Sequence, residues 1–311
     1  MIYKLAKKVS NLRNKIIFDM GDYRQTIFLA GTGRSGTTWV EEILNSNNGF
    51  RIMFEPFHSR KIGLVREWNY KQYLRPNNKS IKFIKPATSI LSGKVRDEWI
   101  DRFNKVIFPR KRLVKDIRAN LFLKWLKVNF PEIPIILLLR HPCAVANSKL
   151  KLSWDSCLDD FLSQDELMKD FLNPFKGELE NANDPFEKHI FLWCVENYIP
   201  LKQFNEGEIL VVFYENLCMD PEREIKKIRT FVGEMLSLEM LPQVNRASAL
   251  SRKDSAVNTG DNLIDAWRKH INDRQIERAC EILSLFKLQN IYSKSSLPLV
   301  SGNEALRLLK A

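Results

Sequence analysis

Thr26-Ile-Phe-Leu-Ala-Gly31-Thr-Gly33-Arg34-Ser35-Gly36-Thr37-Thr38-Trp39 sets the architecture of this chain. A short apolar run, read as a buried strand over Thr26–Ala30, passes through a glycine-rich turn into a helical pattern over Gly36–Asn45. Such a turn aims successive backbone N–H groups and a helix N-terminus at one point, which suits a phosphate or a similar oxyanion. Glycine lets the backbone turn sharply and approach the anion closely. Gly31 and Gly36–Thr37–Thr38 keep the spacing of a nucleotide-triphosphate loop, but Thr37 stands where the lysine belongs. After the apolar run Pro134–Leu139, Arg140 takes the place of a magnesium-organising aspartate. Two cations, Arg34 and Arg140, thus point to an anion that arrives without magnesium.

Working outward, further short β-branched runs fall at Arg51–Phe54, Arg112–Lys115, Ile135–Leu139 and Ile209–Phe213. Helical patterns alternate with them at Asn120–Phe130, Pro142–Lys151, Pro185–Phe204, Pro221–Phe231 and Asp273–Phe286. Asp184-Pro185 and Asp220-Pro221 each supply a capping carboxylate followed by proline at the first helical position. This alternation predicts an α/β fold, a P-loop-like three-layer αβα domain with a mainly parallel central sheet. The expected organisation is a basic amphipathic segment over 1–25, the α/β domain over 26–292 and a C-terminal tail over 293–311. An acidic, aromatic stretch at about 152–187 is the expected specificity region, a solvated face or a fold over the acceptor site. The basic run from Arg102 to Lys127 reads as solvated surface.

The two motifs together resemble the nucleotide site of the sulfotransferases that use 3′-phosphoadenosine 5′-phosphosulfate (PAPS). Gly31–Trp39 resembles their 5′-phosphosulfate loop, with Arg34 as in the carbohydrate branch where the cytosolic branch carries lysine. Arg140-His-Pro-Cys-Ala-Val-Ala-Asn-Ser148 resembles the 3′-phosphate element, an arginine at a strand end and a serine two helical turns on. Val212-Phe-Tyr214-Glu215 before Asp220-Pro221 is similar to a further family segment, with Glu215 serving the fold. Ser251-Arg252-Lys253, with Trp267-Arg268 downstream, resembles the segment that closes over the nucleotide. The resemblance spans about residues 26 to 292 and implies PAPS as sulfonate donor, PAP as product and no metal. The implied donor-binding residues are Gly33, Arg34, Ser35, Gly36, Thr37, Thr38, Trp39, Arg140, Ser148 and Arg252.

Sulfuryl transfer needs stabilisation of charge on the leaving phosphate and a base for the acceptor hydroxyl. Arg34 meets the first need. For the second, cytosolic relatives use a Lys-Thr-His segment, whose counterpart here is Lys115-Asp116-Ile117, and isoleucine takes no proton. Lys115 remains placed for the sulfonate. Glu55, in Phe54-Glu55-Pro56-Phe57-His58, resembles the Phe-Glu-Pro segment of glycan sulfotransferases and the basic glutamate of tyrosylprotein sulfotransferases. It is the first choice as base, against a plain loop ion pair with Arg34 or Lys115; His58 and Asp116 are the reserves. His141, before Pro142 at a helix start, reads as structural.

The charge balance, 49 basic against 37 acidic residues for a net +12, favours anionic ligands or surfaces. Five scattered cysteines without a C-x-x-C suit a reducing compartment and argue against a disulfide framework or a structural zinc. The start of the chain has no secretory h-region, so the expected location is cytoplasmic, of a bacterial kind. Ile2, Leu5, Val9, Leu12 and Ile16 share a helical face, with lysines and Arg13 largely elsewhere, the pattern of a peripheral membrane contact. The expected partners are the donor and a hydroxyl acceptor, a glycan or glycolipid, with no nucleic acid. Two other classes compete. A P-loop kinase or NTPase is disfavoured by Thr37 and Arg140. A non-catalytic module for anionic polymers or membranes leaves both motifs unexplained.

Overall fold

Strand β1 (Thr26–Gly31) is buried along its whole length, as its apolar sequence requires of a strand covered on both faces. It lies at the centre of a five-stranded, wholly parallel sheet ordered β2-β3-β1-β4-β5, where β2 is Phe50–Phe54, β3 Lys111–Asp116, β4 Ile135–Leu139 and β5 Leu210–Phe213. The chain crosses from one side of β1 to the other after β3, so the glycine-rich turn opens where the strand order reverses. In open parallel sheets this is where ligands bind. Register sets the neighbours of that turn: Leu29 pairs with Lys115 of β3, and Gly31 with Leu138 of β4. The structure, a computed structural model, describes residues 17–236 and 262–310.

Helices cover both faces, which makes the three layers expected from sequence. On one face α1 (Thr37–Leu44) lays Trp39, Val40, Ile43 and Leu44 over Ile27, Leu29 and Leu113. The other face carries a larger core built around Phe28, Val114, Leu137 and Phe213. Onto it pack α2 (Ile81–Leu91), α3 (Leu123–Asn129), α4 (Pro142–Leu150) and α5 (Pro185–Gln203). Helix α5 is the spine of this layer, and Asp184 caps it by accepting from the Phe186 and Glu187 amides. After β5 come α6 (Tyr214–Met219), α7 (Pro221–Val232), α8 (Asp273–Leu285) and α9 (Gly302–Leu308). No helix among the described residues is long and apolar enough to cross a membrane.

Several expectations change. Helix α2 lies in a stretch given no element, and it carries Pro86 in its interior, where proline ordinarily interrupts a helix. Burial of Ala87, Ile90 and Leu91 outweighs that cost. The stretch taken as a tail carries α9, whose Ser301 cap and buried Ala305 and Leu306 hold it on β5 and α5. Residues 17–25, assigned to a separate N-terminal segment, are tied to the sheet through buried Asp19, which pairs with Arg51 and Arg112. The basic run from Arg102 divides: Arg102, Lys105 and Arg110 are exposed, whereas Arg112, Lys115 and Arg118 are buried in ion pairs. The amphipathic stripe over residues 1–16 lies outside the described residues.

Candidate active site

The turn after β1 has the backbone an anion cradle needs. Gly36 (φ 99°) and Arg34 (φ 76°) are both left-handed, so consecutive peptide groups change direction within the turn. A Cβ on Gly36 would lie 2.6 Å from the Tyr214 ring, and one on Gly33 would lie 2.9 Å from Trp154 and 3.1 Å from Ile117. Ile117, the residue in the histidine's place, therefore packs against the turn. Within the turn the Ser35 hydroxyl is buried and has no hydrogen-bond partner. A buried hydroxyl without a partner is costly, and an oxyanion would satisfy it, so these residues fit a phosphate-bearing donor. Asn197 on α5 donates to the Thr32 hydroxyl (3.2 Å) and braces the turn from below.

The two motifs converge. Arg34 Nε donates to the Ser148 hydroxyl at 2.9 Å, across 114 positions of sequence. Arg140 Nη1 donates to the Arg34 carbonyl at 3.3 Å, and its guanidinium lies 4.1 Å from the centre of the Tyr214 ring. Arg34, Arg140 and Ser148 thus surround one place at the mouth of the turn. Thr37 is buried, Thr38 half-buried, and the Trp39 indole belongs to the core beside Tyr214. Arg252 lies outside the described residues.

Beside the turn, at the ends of β2 and β3, sits a cluster of buried charge. Glu55 Oε1 accepts from Lys115 Nζ at 3.0 Å, and its Oε2 accepts from Arg118 Nη1 at 2.5 Å. Burial alone would raise the Glu55 carboxyl, but Lys115 and Arg118 outweigh it and hold the group below the usual carboxylate range. Its backbone is left-handed (φ 45°) and pinned by the Glu55 amide on the Lys115 carbonyl. Asp116 accepts from the Phe57 and Arg118 amides (both 2.8 Å), so it shapes the two turns that bring Glu55 and Arg118 together. Burial pushes its carboxyl up to about 6. Burial pushes His58 down to about 4, and its Nδ1 has no partner. From α1 the buried Glu41 approaches the same group: one oxygen is unpartnered, and burial pushes its carboxyl up to about 7 despite the attraction of Lys115. Arg118 and Glu41 escaped the sequence reading. A basic residue two places past Asp116 was the available signal for the first; Glu41 lay in an ordinary helical pattern.

Residues 26–237 match the model of the Sulfotransferase family, well over half of the chain. The chain belongs to the sulfotransferase family. A Caenorhabditis briggsae relative, whose name assigns it to the protein-tyrosine sulfotransferases, is 24% identical over 236 residues, 71% of this chain and 70% of its own. Among solved structures, similarity extends to a sulfotransferase domain from the curacin biosynthetic pathway, at 15% identity, TM-score 0.47, covering 83% of this chain and 95% of that one. A sulfotransferase of Alicyclobacillus acidocaldarius aligns at 11% identity and TM-score 0.46, covering 90% and 98%. Mouse SULT7A1 complexed with PAP aligns at 13% identity and TM-score 0.45, covering 97% and 92%.

The remaining polar residues of this sulfotransferase divide into supports and rim. His141 is buried: its amide donates to Glu215 Oε1 (2.8 Å), its Nε2 meets the Ser293 carbonyl (3.1 Å), and its ring stacks on Trp267. Burial pushes it down to about 4, so it is a neutral support at neutral pH. Glu215 also accepts from the Tyr292 hydroxyl at 2.7 Å and ties the C-terminal segment to α4. The acidic stretch pairs at the surface with the loop over residues 58–75, through Asp160 on Arg60 and through Asp170 on Tyr73 and Arg75, while Asp155, Asp159, Asp165, Glu178 and Glu180 are exposed. Trp154, near its start, lies across Gly33. Among the described residues no group of His, Cys, Asp and Glu is gathered for a metal.

Proposed function

We propose that this sulfotransferase moves a sulfonate group from PAPS to an acceptor hydroxyl of a glycan or glycolipid. The observation that carries the donor assignment is the 2.9 Å bond from Arg34 to Ser148, which joins the residues matched to the 5′ and 3′ phosphates at one mouth. Gly33–Thr38 would hold the 5′ side, Arg34 included, and Arg140, Ser148 and Arg252 the 3′-phosphate. When bound, the donor supplies a sulfuryl group on a phosphate leaving group. Arg34 and the turn amides then stabilise negative charge as the sulfur–oxygen bond to that phosphate breaks. Lys115 neutralises the sulfonate oxygens. Glu55 takes the acceptor proton as the new oxygen–sulfur bond forms. A weakly basic, ionised carboxylate suffices, because the attacking oxygen becomes strongly acidic as it bonds to sulfur.

The arginine in the turn and the Phe54-Glu55-Pro56 segment support the glycan reading. The C. briggsae relative supports a second one, a peptide tyrosine acceptor. Transfer of labelled sulfonate to a panel of glycans, glycolipids and tyrosine peptides separates the two. Glu55→Gln is expected to lower turnover by about 10²–10⁴ while thermal stabilisation by PAP, insensitive to EDTA, is unchanged. Full turnover would remove Glu55 from the role. Because Glu55 is held low, its ionised form persists as pH falls to below the usual carboxylate range. The wild-type rate should therefore show no loss from this group between about pH 5 and 7.

A further inference from the structure

The end of the sheet opposite the candidate site carries an exposed apolar group with a cationic rim. Phe18 and Phe108 are 58% and 70% exposed, yet stack on each other with ring centres 5.1 Å apart and planes within 9°. Met20, 82% exposed, stands two places from Phe18 in sequence. The geometry is fixed from below: the Phe18 amide donates to the Ile107 carbonyl (2.8 Å), and Arg96 Nε donates to the Ile17 carbonyl (2.9 Å). Buried Asp19, between Phe18 and Met20, turns inward to Arg51 and Arg112. Its neighbours on either side are thereby directed outward. Exposed Lys105 and Arg110 flank Phe108 in sequence, exposed Arg96 is tied to Ile17, and the stem of exposed Lys94 lies within 4 Å of where a Cβ on Gly21 would sit. The exposed acid of the neighbouring loop is Glu98.

Large apolar side chains held in the open and ringed by cations have the make-up of an interfacial membrane contact. We propose that Phe18, Met20 and Phe108 insert into an anionic lipid surface, with Lys94, Arg96, Lys105 and Arg110 on its headgroups. Charge complementarity selects this occupant: the rim holds four cations and the whole chain is at +12. In the sequence, residues 2–16 precede the patch and carry apolar positions at helical spacing with basic ones largely elsewhere. Docked in this way, the chain turns the ends of β2 and β3 that carry Glu55 away from the lipid and toward water, so that of the proposed acceptors it reaches a soluble glycan rather than a glycolipid of the same surface.

The test is co-sedimentation of the full chain with vesicles of phosphatidylcholine alone and of phosphatidylcholine mixed with phosphatidylglycerol. The wild type is expected to pellet with the mixed vesicles only. Phe18→Ser with Phe108→Ser should weaken that binding about tenfold or more, and each of Lys94→Gln, Lys105→Gln and Arg110→Gln by about fivefold. Sulfonate transfer in solution and the melting temperature should stay at wild-type values in all of them. Equal pelleting of the double-serine variant, or wild-type binding to neutral vesicles as strong as to anionic ones, would overturn the proposal. So would loss of binding only on Leu5→Ser with Leu12→Ser, which would place the contact in the first sixteen residues. Sedimentation velocity showing a dimer that the double-serine variant splits would assign the patch to a second copy of this chain instead.

Discussion

Strands β2 and β3 carry buried charge at both ends, and the two ends are built differently. At the end where the strands begin, Arg51 and Arg112 are fully buried, and each finds carboxylate partners. Asp19 bridges them, Asp101 accepts from Arg51 at 2.8 Å, and backbone carbonyls take the spare guanidinium donors. At the end where the strands finish, the charges are as buried but less complete. Glu55 sits on a strained backbone between two cations, Glu41 and His58 keep unpartnered atoms, and the Ser35 hydroxyl nearby is unpaired. Buried polar groups without partners cost stability. A satisfied cluster is what a structural role produces, and an incomplete one is what a ligand site leaves for its ligand.

Three substitutions break or sharpen that contrast. The largest effect is expected from Asp19→Ala, which strips the shared carboxylate from two buried guanidiniums and should cost about 3–5 kcal/mol in urea unfolding. The folded fraction should retain its rate, since the site lies at the other end of the sheet. A loss under about 1 kcal/mol, within the range of a solvated surface pair, would mean this cluster is no tighter than a surface one. Next comes Arg34→Gln. Removing a donor from the leaving phosphate should lower kcat by about 10²–10³ with the urea midpoint unchanged. A large midpoint loss with little effect on rate would make the turn's arginine structural and erase the difference between the ends.

The smallest effect is the most diagnostic of incompleteness. Glu41 titrates near 7 in the fold against an ordinary 4.5, so the fold favours its neutral form. Stability from this residue is complete below about pH 4.5 and is lost as pH rises through about 7, because the buried group must then ionise or be exposed. Glu41→Gln stays neutral throughout. It should match the wild type near pH 4.5 and exceed it by on the order of 2–3 kcal/mol at pH 8, measured by urea unfolding at both values. An equal midpoint at both pH values would show that Glu41 finds a partner and that the site end is as complete as the other.

Local sequence determined the frame of this protein. Each of the five strands was legible because β-branched runs between helical patterns have one economical packing, a parallel sheet between two helical layers. The glycine-rich turn was legible because its chemistry is local: a left-handed backbone at Gly36 favours glycine within a few positions of the strand end, whereas its crowding by Tyr214 and Trp154 was not legible. Arg140 and Ser148 could be paired by spacing, as one helix carries the serine two turns from the strand end.

Only the tertiary structure decided what depends on residues distant in the chain. Asp19 meets Arg51 and Arg112 across 32 and 93 positions, so a terminal-looking segment proves to be a structural clamp. Glu55 meets Arg118 across 63, which adds a second cation to the Lys115 pair that the sequence already allowed. Glu41 is an unremarkable helical glutamate until packing on the sheet removes its water. Helix α2 forms against the warning of Pro86 because its apolar face has a core to enter. Propensity and spacing act over a few residues, whereas burial and charge pairing are properties of the packed whole.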